Sequence, residues 1–554
     1  MRSIHLAILA AACLWGAAAC SPAPQAQEPV SDPPHLERRG EATQLIVHGK
    51  PFLALAGELA GSSATSARYM EPFWPEFRKA GLNTLLATVY WEQLEPEEGK
   101  FDFTRVDDLI REARKNDMHL VFLWFASWKN GMTSHIPLWM KENQQKYALA
   151  ETKEGKSVSI LSTFCEANRD ADARAFAALL GHIREVDARE QTVLMIQIEN
   201  EMGLHGNTRD HSAAAEAAFN GPVPAQLTDY LTKNRANLIP EFREAWEKAG
   251  ARTSGTWEQV FGKGDYTDEL FMAWHYASYI EKVAAAGKEA YPIPYFVNAW
   301  LVQPEDRHPG TYPSGGPQAQ NHDIWRCAAP HVDILSPDMY LADFPGILRR
   351  YMRGGNPGFI PESRDGLKGA SNAAFLFGEM RGIGYSPMGV ERMMDKVTEH
   401  QAAGTIRAAW LNGDDPAASY KAGDYIPIIT EKTLRMWDYD VVVKLNTATR
   451  FNQTPNFAGY AMVMQDSAKE FTVVGANVSV AFKPADGKGF TGLGRVEEMV
   501  WNGEAWEASR WLNGDDVQLR YDILQSIDEG FSSQGLRFTA TSPQVIKVRL
   551  SHYD

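Results

Sequence analysis

The chain has 554 residues, which is more than one ordinary hydrophobic core organises, so a barrel-sized domain and at least one further domain are expected. Hydrophobic residues make up 44% of the sequence and Trp occurs 16 times, which is compatible with a large folded core. The formal net charge of −15, with no run of Lys or Arg, argues against a nucleic-acid partner.

The N-terminus has the pattern of a targeting segment. Arg2 precedes an apolar stretch, residues 4–19, that is too short and too rich in Ala for a membrane span. The small residues before Cys20 fit two interpretations, which are cleavage by ordinary signal peptidase or a lipoprotein box with lipidation of Cys20. The Pro-rich residues 21–40 read as a flexible tether and favour the lipoprotein. We therefore expect an exported protein, periplasmic or on the outer membrane of a bacterium, whose contact with a membrane is a lipid anchor at Cys20.

Two cysteines remain beyond this segment. Cys165 and Cys327 can form one disulfide in an exported protein, or can equally be two buried thiols. No cluster of Cys and His has the spacing of metal ligands, so no metal site is predicted.

In chain order, a small hairpin over residues 44–52, turning at Gly49, precedes a series of apolar runs that alternate with helical patterns. The predicted helices lie at residues 71–80, 106–116, 171–185 and 269–286, and residues 204–263 are expected to form an insertion with helices at 225–235 and 240–248. The predicted barrel strands are residues 52–58, 83–91, 119–125, 193–198, 293–300, 332–340, 373–379 and 404–412. Eight strands is the number of a (β/α)8 TIM barrel.

Beyond about residue 435 the pattern changes to short alternating runs separated by Gly, Asp and Asn turns, which is typical of a β-sandwich. The fold class predicted is thus α/β, a TIM barrel followed by an all-β sandwich. The predicted boundaries are a signal segment at 1–20, a tether at 21–40, a catalytic barrel at 41–432 and a sandwich domain at 433–554.

Two of the predicted strands end in carboxylates. Residues 193–198 deliver Glu199, Asn200 and Glu201, and residues 373–378 deliver Glu379. The C-terminal ends of barrel strands form the active face, and two carboxylates are the minimum equipment for glycoside hydrolysis. Glu201 and Glu379 are therefore the predicted catalytic pair, although the residues alone do not assign a role to either.

The string Gln197-Ile-Glu-Asn-Glu-Met-Gly203 resembles the Gln-x-Glu-Asn-Glu-x-Gly signature of glycoside hydrolase family 35, a family of β-galactosidases among the clan A barrel hydrolases. Residues 48–58 and 91–103 are similar to the opening strands of that family, and the resemblance covers residues 42–430. It implies that Glu201, at the end of strand four, is the acid/base, that Glu379, at the end of strand seven, is the nucleophile, and that Asn200 holds the sugar 2-hydroxyl.

The resemblance also implies a set of further sugar contacts. Tyr340 is placed to hydrogen-bond the nucleophile and Trp410 to stack on the sugar. The other candidates are aromatic or polar residues at strand ends, namely Glu58, Tyr90, Trp124, Trp128 and Asn298. One departure concerns Ser127, which stands where better-known members have an acid that grips galactose.

The function expected from this resemblance is an exo-acting retaining β-galactosidase that acts by double displacement on terminal galactose of oligosaccharides or plant cell-wall glycans, such as xyloglucan side chains. No cofactor is called for, because two carboxylates carry the reaction. Two alternatives stay open. One is a retaining β-glycosidase of another specificity, such as a β-glucosidase or an arabinosidase, and the other is an inactive sugar-binding lipoprotein.

Overall fold

The computed structural model describes most of the chain. The described residues are 32–40, 42–302, 308–341, 343–363, 369, 372–373, 376–377, 380–393, 407–412, 431–445, 458–502, 505–512, 517, 535–538 and 544–553. The targeting segment and Cys20 lie outside these ranges, so the predicted lipid anchor stays a prediction. Within them, no helix combines the length and the apolar character needed to cross a membrane.

The N-terminal two thirds of the chain alternate strands and helices. The strands are β1 (His35–Arg39), β2 (Ala42–Val47), β3 (Lys50–Phe52), β4 (Ala54–Glu58), β5 (Thr84–Tyr90), β6 (His119–Lys129), β7 (Leu149–Glu151), β8 (Ser157–Leu161), β9 (Val193–Asn200), β10 (Tyr295–Ala299), β11 (Ile334–Pro337), β12 (Phe359–Ile360) and β13 (Gly384–Tyr385). The helices are α1 (Ala67–Met70), α2 (Trp74–Lys79), α3 (Trp91–Leu94), α4 (Thr104–Lys115), α5 (Leu138–Lys141), α6 (Glu166–Asp187), α7 (Ala213–Phe219), α8 (Ala225–Asn234), α9 (Pro240–Lys248), α10 (Trp257–Phe261), α11 (Asp265–Ala290), α12 (His322–Ala328) and α13 (Phe344–Tyr351).

Eight of these strands form one parallel sheet in the order β11-β10-β9-β6-β5-β4-β13-β12. Its two outer strands meet where the Met339 N–H donates to the Glu362 carbonyl at 2.8 Å and Met339 bridges to Ser363 in parallel. The sheet therefore closes into the predicted TIM barrel. The strands are continuous apolar runs because helices cover their outer faces while side chains fill the interior.

The first six predicted strands are confirmed, but the last two are wrong. Residues 372–373 and 376–377 are helical, and the seventh barrel strand is β12. Residues 404–412 do contain a strand, β14 (Arg407–Asn412), but this strand lies in a C-terminal sheet, and the eighth barrel strand is β13. Two-residue strands have no periodicity that a sequence pattern can detect.

The predicted hairpin is β2 and β3, which pair antiparallel and turn at His48 and Gly49, both with positive φ. With β1 they form a three-stranded sheet. Leu45 and Val47 pack in one cluster with barrel-interior residues such as Phe296 and Phe359. This small sheet therefore closes one end of the barrel interior.

The C-terminal part folds as two antiparallel sheets. The further strands are β14, β15 (Glu431–Met436), β16 (Tyr439–Leu445), β17 (Ala458–Gln465), β18 (Glu470–Ala476), β19 (Val478–Pro484), β20 (Phe490–Trp501), β21 (Trp506–Trp511), β22 (Gly535–Arg537) and β23 (Gln544–Tyr553). The sheet orders are β14-β17-β18-β23-β20-β21 and β15-β16-β19-β22, and side chains of both share one hydrophobic cluster. This is the predicted sandwich, although β14 brings residues before 433 into it.

The sandwich is bound to the barrel by polar contacts. The Thr65 hydroxyl accepts from the Trp511 N–H at 2.8 Å. The buried Lys141 donates to the Ser134 carbonyl of the barrel at 2.9 Å and to the Gly494 carbonyl of the sandwich at 3.2 Å. Arg68 and Glu507 form an ion pair across the same boundary.

The two cysteines beyond the targeting segment are free thiols. Cys165 is partly exposed and Cys327 is buried, and burial raises the pKa of Cys327 to about 11. Of the two alternatives that the sequence leaves open, the structure has two thiols and no disulfide between them.

Candidate active site

The end of β9 bends sharply. Glu199 and Glu201 have φ values of 58° and 45°, which non-Gly residues rarely adopt and which cluster at functional sites. Gly203 follows with a φ of 143°, and a Cβ there would lie 2.5 Å from the Cβ of Pro313. The Gly of the Gln-x-Glu-Asn-Glu-x-Gly string is thus required by the close approach of another loop.

This bend sends the two glutamates to different places. Glu199 is fully buried and accepts from the N–H groups of Ser127 at 3.0 Å and Trp128 at 2.6 Å, at the end of β6. It also shares a hydrogen bond with Asp172 of α6. Burial, and then the charge of Asp172, raises the pKa of Glu199 well above its usual range. Glu199 therefore holds a proton and ties β9 to its neighbours.

Glu201 joins a network of polar side chains from adjacent strands. The Asn130 amide donates to its carboxylate at 2.6 Å, and the Glu201 N–H donates to the Asn298 amide oxygen at 2.9 Å. Asn298 in turn donates to Asp338 at 2.7 Å, and Asp338 is hydrogen bonded to the Glu201 carboxyl group. Glu201 is thus held on both sides at the C-terminal end of the barrel.

A second carboxylate, which the sequence analysis did not identify, lies beside this network. Glu362 lies two residues beyond the end of β12, and its Oε1 accepts from the Tyr340 hydroxyl at 2.6 Å. Burial, and then the charges of Glu362 and Glu58, raises the pKa of Tyr340. Tyr340 therefore keeps its proton and donates to Glu362. The sequence analysis predicted that Tyr340 hydrogen-bonds the nucleophile, and the carboxylate that it contacts in the structure is Glu362.

Four carboxyl groups come together at this point, from four strand ends. The pKa of Asp338 is raised well above its usual range by burial first, and then by the charges of Glu362, Glu201 and Glu58. Asp338 therefore keeps its proton at neutral pH. Among the described residues, no group of acidic, His or Cys side chains has the arrangement of a metal site.

Asn200 lies between the two glutamates of β9. Its side-chain oxygen accepts from the Asn130 N–H at 3.3 Å. Its buried Nδ2 has no hydrogen-bond partner within the described part of the chain. A buried donor without a partner is costly, so this amide is suited to a ligand oxygen.

Other predicted site residues divide into two groups. Glu58 and Asn298 lie in the cluster, and Tyr90 lies in the barrel interior, against Phe125 and His135. Trp124 and Trp128 were predicted in the site, but they are fully buried among helix residues such as Phe176 and Tyr279. Trp410 was predicted at the end of a barrel strand, but its backbone belongs to β14 in a C-terminal sheet.

The structure also bears on the predictions made for Glu379 and Ser127. Glu379 lies outside the described residues, and the strand that was predicted to present it is not a barrel strand. Ser127 is buried, and its hydroxyl donates to Asp172 at 2.6 Å, so it points away from the carboxylate cluster. Of the residues that the sequence analysis passed over, Asp338 was within reach, because it lies at the end of a correctly predicted strand. Glu362 was not within reach, because the strand before it, β12, has only two residues.

Comparison with known proteins connects this site with sugar hydrolysis. The glycoside hydrolase family 42 pattern, described as beta-galactosidase, matches residues 68–266. The matched segment is β-galactosidase-like. It contains Asn200 and Glu201 but not Glu362. A domain family of unknown function matches residues 390–523. Because the matching family is 42, the family 35 assignment is not confirmed and stays a prediction.

Curated relatives agree with the family match. A beta-galactosidase of Xanthomonas manihotis is 25% identical over 183 residues, which are 32% of this chain and 28% of that protein. Beta-galactosidase 11 of Arabidopsis thaliana is 26% identical over 172 residues, 29% of this chain and 18% of that protein. The chain thus covers less than a third of the length of these relatives.

Solved structures are similar to the chain only loosely. The beta-galactosidase from Rahnella sp. R3 has a TM-score of 0.39 and 16% identity, and the match covers 61% of this chain and 50% of that one. The catalytic domain of beta-amylase from Paenibacillus polymyxa has a TM-score of 0.42 and 10% identity, with coverage of 60% and 91%. Neither overlap is close enough to indicate a shared reaction.

Proposed function

We propose that the protein is a retaining β-galactosidase in which Glu201 is the acid/base and Glu362 is the nucleophile. The observation that carries this proposal is that the two carboxylates, from the ends of β9 and β12, both lie beside Asp338. Retaining glycosidases use two carboxyl groups about 5–5.5 Å apart. Glu362 replaces Glu379 in the role inferred from the sequence.

The proposed reaction has two steps. Glu362 attacks the anomeric carbon while Glu201 gives its proton to the departing glycosidic oxygen, which leaves a glycosyl ester on Glu362. A water molecule then gives a proton to Glu201 and attacks the same carbon, which releases the sugar with its original configuration and restores both groups. Tyr340 orients Glu362 through its 2.6 Å hydrogen bond, and the buried Asn200 amide is available for a sugar hydroxyl.

The substrate proposed is a terminal β-galactosyl residue of an oligosaccharide or a plant cell-wall glycan, such as a xyloglucan side chain. The supporting observation is the similarity of residues 68–266 to proteins named beta-galactosidase. We further propose an exported protein anchored by a lipid on Cys20. Labelling with a radioactive fatty acid, with a Cys20→Ser variant as control, tests that anchor.

The assignment of the two roles is tested with nitrophenyl β-glycosides and azide. Glu362→Gly is expected to lower kcat by more than about 10³-fold, and added azide is expected to yield an α-galactosyl azide, because azide occupies the space of the nucleophile. Glu201→Ala with azide is expected to yield the β-azide from a dinitrophenyl substrate. Glu379→Gly is the matched control.

Each outcome has a clear meaning. An α-azide from Glu379→Gly, with full activity in Glu362→Gly, would return the nucleophile to Glu379. Hydrolysis of glucosides or arabinosides in place of galactosides would keep the mechanism and change the sugar. Wild type that hydrolyses none of these glycosides would contradict the proposed function.

A further inference from the structure

Asp338 has a position that the two-carboxylate reaction does not account for. It follows β11, is 2% exposed, and its N–H donates to the Ala299 carbonyl at 3.1 Å, which fixes its backbone. Its Oδ2 accepts from the Asn298 amide at 2.7 Å, and its carboxyl group is hydrogen bonded to Glu201. A third buried carboxyl group beside a catalytic pair needs a physical reason, since burying it is costly.

The connections of Asp338 form a closed path around Glu201. Asn298 receives the Glu201 N–H on its oxygen and donates to Asp338 from its nitrogen, while Asp338 contacts the Glu201 carboxyl group. The main chain and the side chain of Glu201 are therefore both fixed through the pair Asn298 and Asp338. On the other side, Asn130 donates to the same carboxylate.

We propose that Asp338 is a positioning residue for proton transfer, which holds the Glu201 carboxyl group in the orientation that protonation of the leaving group requires. This inference rests on the proposed function. The Asp338 proton is not transferred in either step; it remains in the hydrogen bond to Glu201. When Glu201 has given its proton to the glycosidic oxygen, this hydrogen bond stabilises the new carboxylate, which favours the transfer.

The groups that face Asp338 explain why it carries a proton in this role. Glu58, Glu201 and Glu362 act on it with negative charge, and Tyr340 and Tyr351 are the other titratable groups close to it. An ionised Asp338 would repel the Glu201 carboxylate that forms in the first step. A neutral Asp338 instead donates to it.

The test uses a series of aryl β-galactosides with leaving groups from dinitrophenol, which needs no protonation, to unsubstituted phenol, which does. Asp338→Ala is expected to lower kcat/KM, which reports the step that expels the leaving group, about 10- to 100-fold for the phenol and less than about 3-fold for the dinitrophenol, because general acid catalysis contributes 10²–10⁴-fold only where a proton is transferred. Asp338→Asn, which keeps a donor for Glu201, is expected to recover most of the loss. The basic limb of the pH profile of kcat/KM is expected to move in Asp338→Ala and to stay unchanged in a control variant, Asp323→Ala.

A double mutant separates this role from a structural one. In a Glu201→Ala background, Asp338→Ala is expected to cause no further loss, because Asp338 acts through Glu201. Asp323→Ala removes a buried carboxyl group of α12, which accepts from the Ile239 N–H at 2.7 Å, and serves as the matched control. That control is expected to change the melting temperature without changing the dependence on the leaving group.

Three results would overturn the proposal. These are an equal loss for every leaving group, a further loss in the Glu201→Ala background, and full activity of Asp338→Ala. If Asp338→Ala does not fold, the comparison of Asp338→Asn with wild type decides, since a loss of about 10- to 100-fold on the phenol substrate in that variant contradicts the proposal. Wild type without activity on any galactoside refutes the proposed function instead, so the two failures are distinguishable.

Discussion

The ends of β9 and β12 present the two proposed catalytic carboxylates in different ways. β9 is an eight-residue strand buried along its whole length, and its end is tied to β6 and α6 through Glu199. β12 has two residues, and Glu362 beyond it is held by Tyr340 of the neighbouring strand end and by the backbone contact with Met339. The strand that carries the proposed acid/base is therefore anchored along its whole length and at its end, whereas the proposed nucleophile follows a short strand and is held by contacts from the neighbouring strand end.

The largest expected effect concerns the β9 side. Glu199→Ala leaves the N–H groups of Ser127 and Trp128 buried without this acceptor and removes one of the hydrogen-bond partners of Asp172. We expect a loss of about 3–5 kcal/mol in the free energy of unfolding, measured by urea denaturation. Glu199→Gln, which keeps an acceptor, is expected to lose less. Equal stability of the alanine variant and wild type would show that β9 is not held by this residue.

The second prediction concerns the half of the barrel next to β9 and is about how the stability of the protein depends on pH. Glu269 of α11 is buried and accepts from Asn321, and burial raises its pKa to about 7. Because the folded state keeps this proton while the unfolded state loses it at about pH 4.5, stability falls as pH rises from about 4.5 to about 7 and then levels off. In the Glu269→Gln variant, the decrease in the free energy of unfolding over this pH range is expected to be smaller by roughly 3 kcal/mol.

This second effect is measured as the difference in unfolding free energy between pH 5 and pH 8 for wild type and variant. Glu289→Gln changes an exposed carboxylate of the same helix and is the matched control. If the Glu269→Gln variant keeps the full dependence on pH, Glu269 does not hold a proton in the folded protein.

On the β12 side, Tyr340→Phe removes the hydroxyl that donates to Glu362. We expect kcat/KM to fall about 10- to 100-fold, because a hydrogen bond to a charged group contributes about 1.5–3 kcal/mol. Tyr291→Phe removes a buried hydroxyl whose oxygen has no partner in the described ranges, and should leave kcat/KM unchanged. A Tyr340→Phe variant with wild-type kinetics would mean that Glu362 is positioned by other groups.

The smallest effect is expected at the boundary with the sandwich. Thr65→Val removes the hydroxyl that accepts from the Trp511 N–H, and should lower the unfolding free energy by about 1 kcal/mol. Thr232→Val, which removes a hydroxyl bonded within α8, is the control. A melting temperature equal to wild type would show that this contact contributes nothing to the attachment of the sandwich.

The same contrast explains what could be predicted from the sequence. β9 can be recognised in the sequence as a continuous apolar run, so the pattern was enough to predict Glu201, Asn200 and the fold class. β13 is defined by its pairing with β4, and β12 by its pairing with β13 and by closure of the barrel, which are tertiary effects that leave two-residue strands. Residues 373–377 were predicted as a strand because they form a continuous apolar run, yet the described residues there are helical.

The small sheet of β1 to β3 has a consequence for the order of events in the proposed reaction. Leu45 and Val47 fill the end of the barrel interior opposite the carboxylates. Substrate, departing alcohol and incoming water are therefore expected to share one entrance. The water of the second step can take its place only after the alcohol has gone, so a lingering alcohol would compete with it and favour transfer of the sugar over hydrolysis.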